Sequence, residues 1–216
     1  MKKVSKNAFR IVLLGPQGSG KGTQAAALAA SLRLPHISTG DMFRQHLKYR
    51  TTLGRKIAKL LDAGTLVPDV LTNAVVKERL SRPDCRRGYI LDGYPRTLPQ
   101  AKFLERIARP TLVVALELTD REAVKRLSGR RMAPDGTIYH IKFKPAPRRL
   151  RRQLVIRSDD RPAAVKRRLV QYRKQTVPLR RYYRQRNVLA EVDARPAIAK
   201  VTTKLLAAVR QHLPTV

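Results

Sequence analysis

An apolar run rich in β-branched residues, Phe9-Arg-Ile-Val-Leu-Leu14, stops at Gly15 and gives way to Gly15-Pro-Gln-Gly18-Ser19-Gly20-Lys21-Gly22-Thr23-Gln24. An Ala/Leu-rich stretch with helical propensity then runs to Leu32. Strand, Gly-x-x-x-x-Gly-Lys and helix in immediate succession are the setting of a P-loop. Gly15, Gly18 and Gly20 let the backbone turn its N–H groups inward with no Cβ in the way. The helix opening near Lys21 adds the positive end of its dipole, and the Lys21 ammonium reaches β- and γ-phosphates. The chain is therefore expected to bind a nucleoside triphosphate on Gly18, Ser19, Gly20, Lys21, Gly22 and Thr23. One detail departs from the general motif. Gly22 stands where Ser or Thr usually follows the lysine to reach Mg2+, and Thr23 comes one place later.

Such a loop needs an α/β frame, and the rest of the chain has its pattern. Strands are expected at Phe9–Leu14, around His36–Ile37, and at Gly88–Leu91, Thr111–Leu116 and Val188–Val192. Helices are expected at about Lys21–Leu32, Asp69–Ser81, Pro99–Ala108, Asp120–Leu127 and Pro196–His212, with Asp69 and Asp120 as N-caps. Alternation of this kind gives a three-layer α/β/α fold on a parallel sheet. Two insertions interrupt it. Residues 38–67 carry helical pieces at Asp41–Leu47, capped by Asp41, and at Thr52–Leu61, closing at Gly64. Residues 129–160 carry a β-like piece at Thr137–Phe143, then Pro145, Pro147 and a basic run. A helix then opens at Asp159-Asp160-Arg-Pro162 with an acidic cap, runs to about Gln175, and yields to another at Pro178. The expectation is one P-loop domain with a core of residues 9–37, 68–128 and 161–216, and two inserted lobes that close over substrates.

Composition narrows the setting. At 216 residues and 43% hydrophobic, the chain can bury a core of one or two domains. It has no apolar run near the roughly 20 residues that span a membrane, and its start reads as no signal peptide. Cys85 is the only cysteine and the histidines are scattered, so no disulfide and no zinc site is expected. A reduced, cytoplasmic setting fits. The balance of 47 Lys plus Arg against 15 Asp plus Glu, net +32, points to anionic partners. Arg148, Arg149, Arg151 and Arg152 are the densest run, a candidate contact with nucleic acid or an anionic surface.

Chemistry-bearing residues cluster around the P-loop. In Ile90-Leu-Asp92-Gly93-Tyr94-Pro95-Arg96, an aspartate at the carboxyl end of a strand is placed to order Mg2+ through its waters. Arg96 offers a planar fork to a phosphate. Ser38-Thr39-Gly40-Asp41-Met-Phe-Arg44 opens the first insertion, where Thr39 can bond a base and Arg44 a phosphate. Arg126 and Arg130 flank the second insertion on one side, Arg157 and Arg168 on the other. Phosphoryl transfer leaves little covalent work for a protein, so a ring of arginines over two polyphosphates is the machinery it needs. Any one arginine in so basic a chain reads more readily as a solvated surface residue, and no nucleophilic triad is present.

These motifs together resemble the adenylate kinases of the long-lid type, from about Phe9 to about Leu206. The matches are Gly15–Gln24, Ser38–Arg44, Leu61–Val67, Leu91–Gln100, Gly129–Arg131, Ile138–His140 and Arg157–Asp160, in the family's order and close to its spacing. The resemblance implies reversible phosphoryl transfer from MgATP to AMP, giving two ADP, by a monomer without zinc. It implies Lys21, Arg96, Arg130, Arg157 and Arg168 as catalytic. It places ATP on Gly18–Thr23, Arg126, Arg130, Ile138, Tyr139 and Arg195. It places AMP on Thr39, Arg44, Thr65, Leu66, Val67, Gly93, Tyr94, Pro95, Arg96, Gln100, Arg157 and Arg168, with Thr39 and Gln100 reading adenine. Asp92 orders the Mg2+ waters, and Asp159 and Asp160 fix the closed lid.

Several departures stand out. Thr65 replaces a frequent Lys, the lid is several residues shorter than the usual long form, and its interior is basic. Val192-Asp-Ala-Arg-Pro196 differs from the common Asp-Gly form. A UMP/CMP kinase and a GTP-preferring AMP kinase stay open as alternatives, as does a basic RNA- or ribosome-associated protein on a kinase fold.

Overall fold

The computed structural model describes residues 9–62 and 65–212. The expected helix end at Gly64, part of the Leu61–Val67 motif, lies outside the described residues. Among them, a parallel sheet joins β1 (Phe9–Leu14), β2 (His36–Ser38), β3 (Gly88–Asp92), β4 (Leu112–Glu117) and a late strand, Leu189–Asp193. Between β4 and that strand lies a separate antiparallel ribbon of β5 (Arg130–Met132) and β6 (Ile138–His140). The late strand is thus β7, and the sheet order is β2–β3–β1–β4–β7. β1 is central, so the P-loop leaves the middle of the sheet, with the Asp92 end of β3 beside it.

The sequence of β1 explains its position. Alternate residues serve opposite faces, and both faces are apolar, as a doubly covered strand requires. Ile11 and Leu13 join a core with Leu28 of α1 (Lys21–Leu32) and with Val201, Leu205 and Val209 of the last helix. Val12 and Leu14 join a second core on the other face, with Tyr94, Ala101, Leu104, Leu179 and Tyr183. The helices run in order: α2 (Thr39–Lys48), α3 (Thr52–Asp62), α4 (Asp69–Leu80), α5 (Leu98–Ala108), α6 (Asp120–Ser128), α7 (Pro162–Gln171), α8 (Pro178–Arg184) and α9 (Ile198–His212). Phe43 of α2, Ile57 of α3 and Val67 form a small cluster that packs against Leu71 and Val75 of α4. Ala123 and Leu127 of α6 pack with Val165 and Leu169 of α7.

Helix starts differ from expectation in a consistent way. Ser38, not Asp41, caps α2 by accepting the Asp41 N–H; Thr119, not Asp120, caps α6 through the Glu122 N–H. Pro68 precedes α4, and Asp69 lies within its first turn. In each case the aspartate sits inside the helix, where the dipole still favours it. At α7 the acidic pair forms no cap; Arg161 is the cap residue, and Asp159 and Asp160 lie in a 3-10 turn with arginine partners. α7 also ends before Gln175. From Tyr172 to Thr176 the chain widens into a π turn, closed by Val177 N–H to Tyr172 O at 3.0 Å. Pro178 supplies the cause, since it lacks an N–H and crowds the carbonyl four residues back.

Candidate active site

The P-loop folds back on its lysine. Lys21 Nζ donates to Gly15 O (2.8 Å) and Pro16 O (2.9 Å). Burial pushes the ammonium down to about 8, Arg96, Arg168 and Arg130 push the same way, and Asp92 opposes them. Gly18 has φ +82°, and a Cβ there would lie 2.8 Å from Ala123 O of α6, so the loop can pass α6 only as glycine. Gly20 begins α1 with no side-chain cap, leaving first-turn N–H groups for an anion. Ser19 is buried and its Oγ has no hydrogen-bond partner among the described residues. Thr23 is exposed on the first turn. Gly22 is the place where β3 comes close, since a Cβ there would lie 3.3 Å from Asp92 Oδ2.

At the end of β3, Gly93 has φ +81°, and its carbonyl accepts Thr39 Oγ1 (3.0 Å) and Arg96 Nε (2.7 Å). The Arg96 N–H donates to Gln100 Oε1 at 2.7 Å, and Gln100 Nε2 donates to Asp69 Oδ1 at 2.7 Å. Tyr94 and Pro95 are buried, and the Tyr94 hydroxyl donates to Asn73 Oδ1 at 2.7 Å. Thr176 of the π turn donates to the Arg96 carbonyl at 2.9 Å, tying that turn to the same loop. Across from it, Arg44 of α2 pairs with Asp41. Val67 is buried and Leu66 half-buried, while the Thr65 hydroxyl donates to Leu60 O at 2.9 Å and closes α3. The residue that replaces a frequent lysine thus ends a helix.

The second insertion contributes its arginines already paired. Asp159 accepts Arg157 through both oxygens at 3.0 Å and Arg168 at 2.7 Å. Asp160, with a side chain 1% exposed, accepts both Nε and Nη2 of Arg130. The electrostatic neighbours show how closely these groups gather. Burial lowers Arg157, with Arg44 and Arg130 adding to it. Burial lowers Arg96, with Arg44 adding and Asp92 opposing. Burial lowers Arg168, opposed by Asp159 and reinforced by Arg96, Arg130 and Arg157. Lys21, Arg44, Arg96, Arg130, Arg157 and Arg168, scattered in sequence, form one cationic cluster.

On its other side Arg126 of α6 donates to Ala194 O (2.9 Å) and Arg195 O (3.0 Å), and its guanidinium carbon lies 5.9 Å from the Phe143 ring centroid. His140 and Phe143 stand 4.5 Å apart, centroid to centroid. Phe143 is 48% exposed. The sequence reading gives neither ring a role; the signal it missed is an aromatic residue held at the surface of a loop otherwise basic and proline-rich. Ile138 and Tyr139 are half-buried. Arg195 turns its exposed guanidinium to Asp193 at 2.9 Å, so its backbone, not its side chain, meets Arg126.

A sequence profile described as adenylate kinase matches residues 13–188, a span that holds the P-loop and both insertions. The chain belongs to the adenylate kinase family. It is 46% identical over 196 residues to the adenylate kinase of Treponema denticola, covering 88% of this chain and 94% of that one. It is 45% identical over 210 residues to the adenylate kinase of Anaeromyxobacter dehalogenans (91% and 98%) and 42% over 214 residues to that of Methanocella arvoryzae (94% and 99%). Arg195 lies beyond the span of the adenylate kinase profile. Among the described residues no helix is long and apolar enough to cross a membrane.

Proposed function

We propose that the chain transfers the terminal phosphoryl group of MgATP to AMP, giving two ADP. The observation that carries this reading is the cationic cluster: six cationic side chains from the P-loop, α2, the β3 loop, the second insertion and α7 meet around one track. Two facing nucleotides bring more negative charge to one place than a single triphosphate does.

The roles follow from the chemistry of each group. The N–H groups of Gly18–Thr23 hold the ATP phosphates, and Lys21 leaves the Gly15 and Pro16 carbonyls for the β- and γ-oxygens. Arg44 and Arg96 hold the AMP phosphate in line with the γ-phosphorus. An AMP phosphate oxygen forms the new P–O bond as the bond to the β-γ bridging oxygen breaks, and ADP leaves. Arg130, Arg157 and Arg168 spread charge from the equatorial oxygens, gathered by Asp159 and Asp160. Arg126 with Phe143 and His140 offers the adenine of ATP a cationic and aromatic slot. Thr39 and Gln100 face the adenine of AMP, and Thr65–Val67 and Gly93–Pro95 line that site.

The donor set fits Mg2+ brought in with ATP: a lone carboxylate, Asp92, faces the glycine that follows Lys21, which suits an ion held by phosphates and water. Bound there, Mg2+ neutralises charge on the β- and γ-oxygens. The lack of cysteines in the second insertion supports a lid without zinc. Residues 38–67, whose Phe43, Ile57 and Val67 cluster rests on Leu71 and Val75 of α4, are read as one moving lobe, and residues 129–160 as the other. We read the chain as a monomer of the cytoplasm.

The deciding experiment is a phosphoryl-transfer assay across ATP and GTP as donors and AMP, CMP, UMP and GMP as acceptors. Turnover of CMP well above AMP overturns the reading. A second contact is favoured by one observation: Arg148, Arg149, Arg151 and Arg152 are exposed, have no carboxylate partner among the described residues, and lie in a stretch without acid from Gly136 to Ser158. They suit an anionic surface or nucleic acid. Filter binding at two salt concentrations, with all four changed to Gln, tests this; equal binding by both proteins removes it.

A further inference from the structure

The Gln100 carboxamide is gripped by two neighbours that can each act in only one sense. Its Oε1 accepts the Arg96 backbone N–H, and its Nε2 donates to Asp69 Oδ1, both at 2.7 Å. A backbone N–H only donates, and a carboxylate only accepts. Exchanging the oxygen and nitrogen would set N–H against N–H on one side and oxygen against carboxylate on the other. Both neighbours therefore demand the same orientation. Asp69 is itself held, because its second oxygen accepts Thr97 Oγ1 at 2.7 Å and it sits in the first turn of α4, where the dipole favours an anion. Gln100 is only 2% exposed, so water cannot relieve a wrong orientation.

Valence then fixes what remains. A carboxamide oxygen has two lone pairs and its nitrogen two hydrogens, and one of each is committed. A base meets one acceptor and one donor in a set order. Adenine matches that order, with its exocyclic amine beside a bare ring nitrogen; a 6-oxopurine puts a carbonyl oxygen where the amine stands. A 6-oxopurine would fit only a carboxamide turned over.

We propose that Asp69 sets the specificity for the acceptor base, by locking Gln100 in the orientation that takes a 6-aminopurine monophosphate and refuses a 6-oxopurine one. This rests on the reading that Gln100 faces the acceptor base. Asp69 touches no substrate and is a positioning residue.

The test is the ratio of kcat/KM for AMP to kcat/KM for inosine monophosphate, with MgATP, in the wild type and four variants. Inosine monophosphate isolates the exchange at C6 and N1 from the guanine 2-amino group. A ratio is unaffected by the fraction of active protein, so partial misfolding leaves it unmoved. Asp69→Leu, which removes the acceptor, should lower it by about tenfold or more, the effect of losing one charged hydrogen bond, and Asp69→Asn, whose amide can meet Gln100 with either end, should lower it by less. KM for AMP should rise, while kcat at saturating AMP stays within about threefold. Thr97→Ser keeps the hydroxyl that holds Asp69 and accepts the Gln100 backbone N–H, and should keep the ratio. Gln100→Leu should abolish the discrimination. If both Asp69 variants keep the wild-type ratio while Gln100→Leu loses it, the proposal is overturned and Gln100 remains the base contact. A loss in Thr97→Ser equal to that in Asp69→Leu assigns discrimination to the packing of α4 on α5 and also overturns it. An unchanged ratio in Gln100→Leu removes the base contact itself, and the proposal with it.

Discussion

Lys21→Arg should flatten the pH dependence of ATP binding. Burial and three neighbouring arginines hold the Lys21 ammonium at about 8, against an ordinary value of 10.5. A bound polyphosphate favours the charged form and returns the group at least to its ordinary value. Binding then takes up a proton wherever the free site has lost one, so affinity falls as pH rises past 8. From pH 7.5 to 9.5 the Kd for MgATP should rise roughly 25-fold, or about 2 kcal/mol. A terminal phosphate, with a second pKa of about 6, has finished ionising before that window opens. Arginine stays charged throughout, so the Kd of the variant should change by less than about threefold. Calorimetric titration with MgATP at constant ionic strength, without AMP so that nothing turns over, gives both curves. A flat wild-type curve, or the same slope in the arginine variant, would refute Lys21 as the titrating group. For the ligand-free fold the sign is opposite. A lysine depressed below its unfolded value is unfavourable at neutral pH, and stability should rise between pH 8 and 10.5 as that cost is relieved.

Other perturbations separate the two halves of the site. Arg44→Ala should raise KM for AMP by the equivalent of roughly 1.5–3 kcal/mol while KM for ATP holds steady; steady-state kinetics in both substrates would detect the reverse order. Phe143→Ala should raise KM for ATP by about 0.5–1 kcal/mol, the worth of an exposed cation–π contact with Arg126, and leave KM for AMP unchanged. Gly54→Ala should destabilise the chain by about 1–3 kcal/mol in a denaturant melt, because a Cβ at α3 would overlap the His46 carbonyl of α2.

What the sequence reveals divides by range. Elements with a strong local period stand where expected, β1 and α1 to the residue, because apolar spacing and glycine chemistry act over a few positions. Caps are missed by small offsets because Ser38 and Thr119 compete with nearby aspartates for the same role, and only the backbone angles decide. The π turn depends on Pro178 acting backwards on Lys174, a conflict that helical propensity alone does not register. Arg44, Arg96, Arg130, Arg157 and Arg168 are picked out by residue type and motif, and the fold gathers them with Lys21. Their aspartate partners are not picked out, because Asp160 meets Arg130 across 30 positions. Asp69 reads as a cap in sequence, and only the fold brings it to Gln100 across 31.

The pairing of Asp159 and Asp160 has an architectural consequence. Arg130 opens the second insertion and Arg157 nearly closes it, and both are tied to adjacent aspartates just ahead of α7. Met132 and Val155 exchange backbone hydrogen bonds at 2.9 Å immediately beyond. The insertion therefore has a stapled neck, and residues 133–154 hang from it as a bight whose length the cationic cluster does not sense. Closing a longer bight costs only about 0.6 kcal/mol per doubling. A second insertion of another length, or one with its tip rebuilt in arginine, leaves the neck as it was. That part of the chain is free to be recut for another purpose while the chemistry beneath it stays fixed.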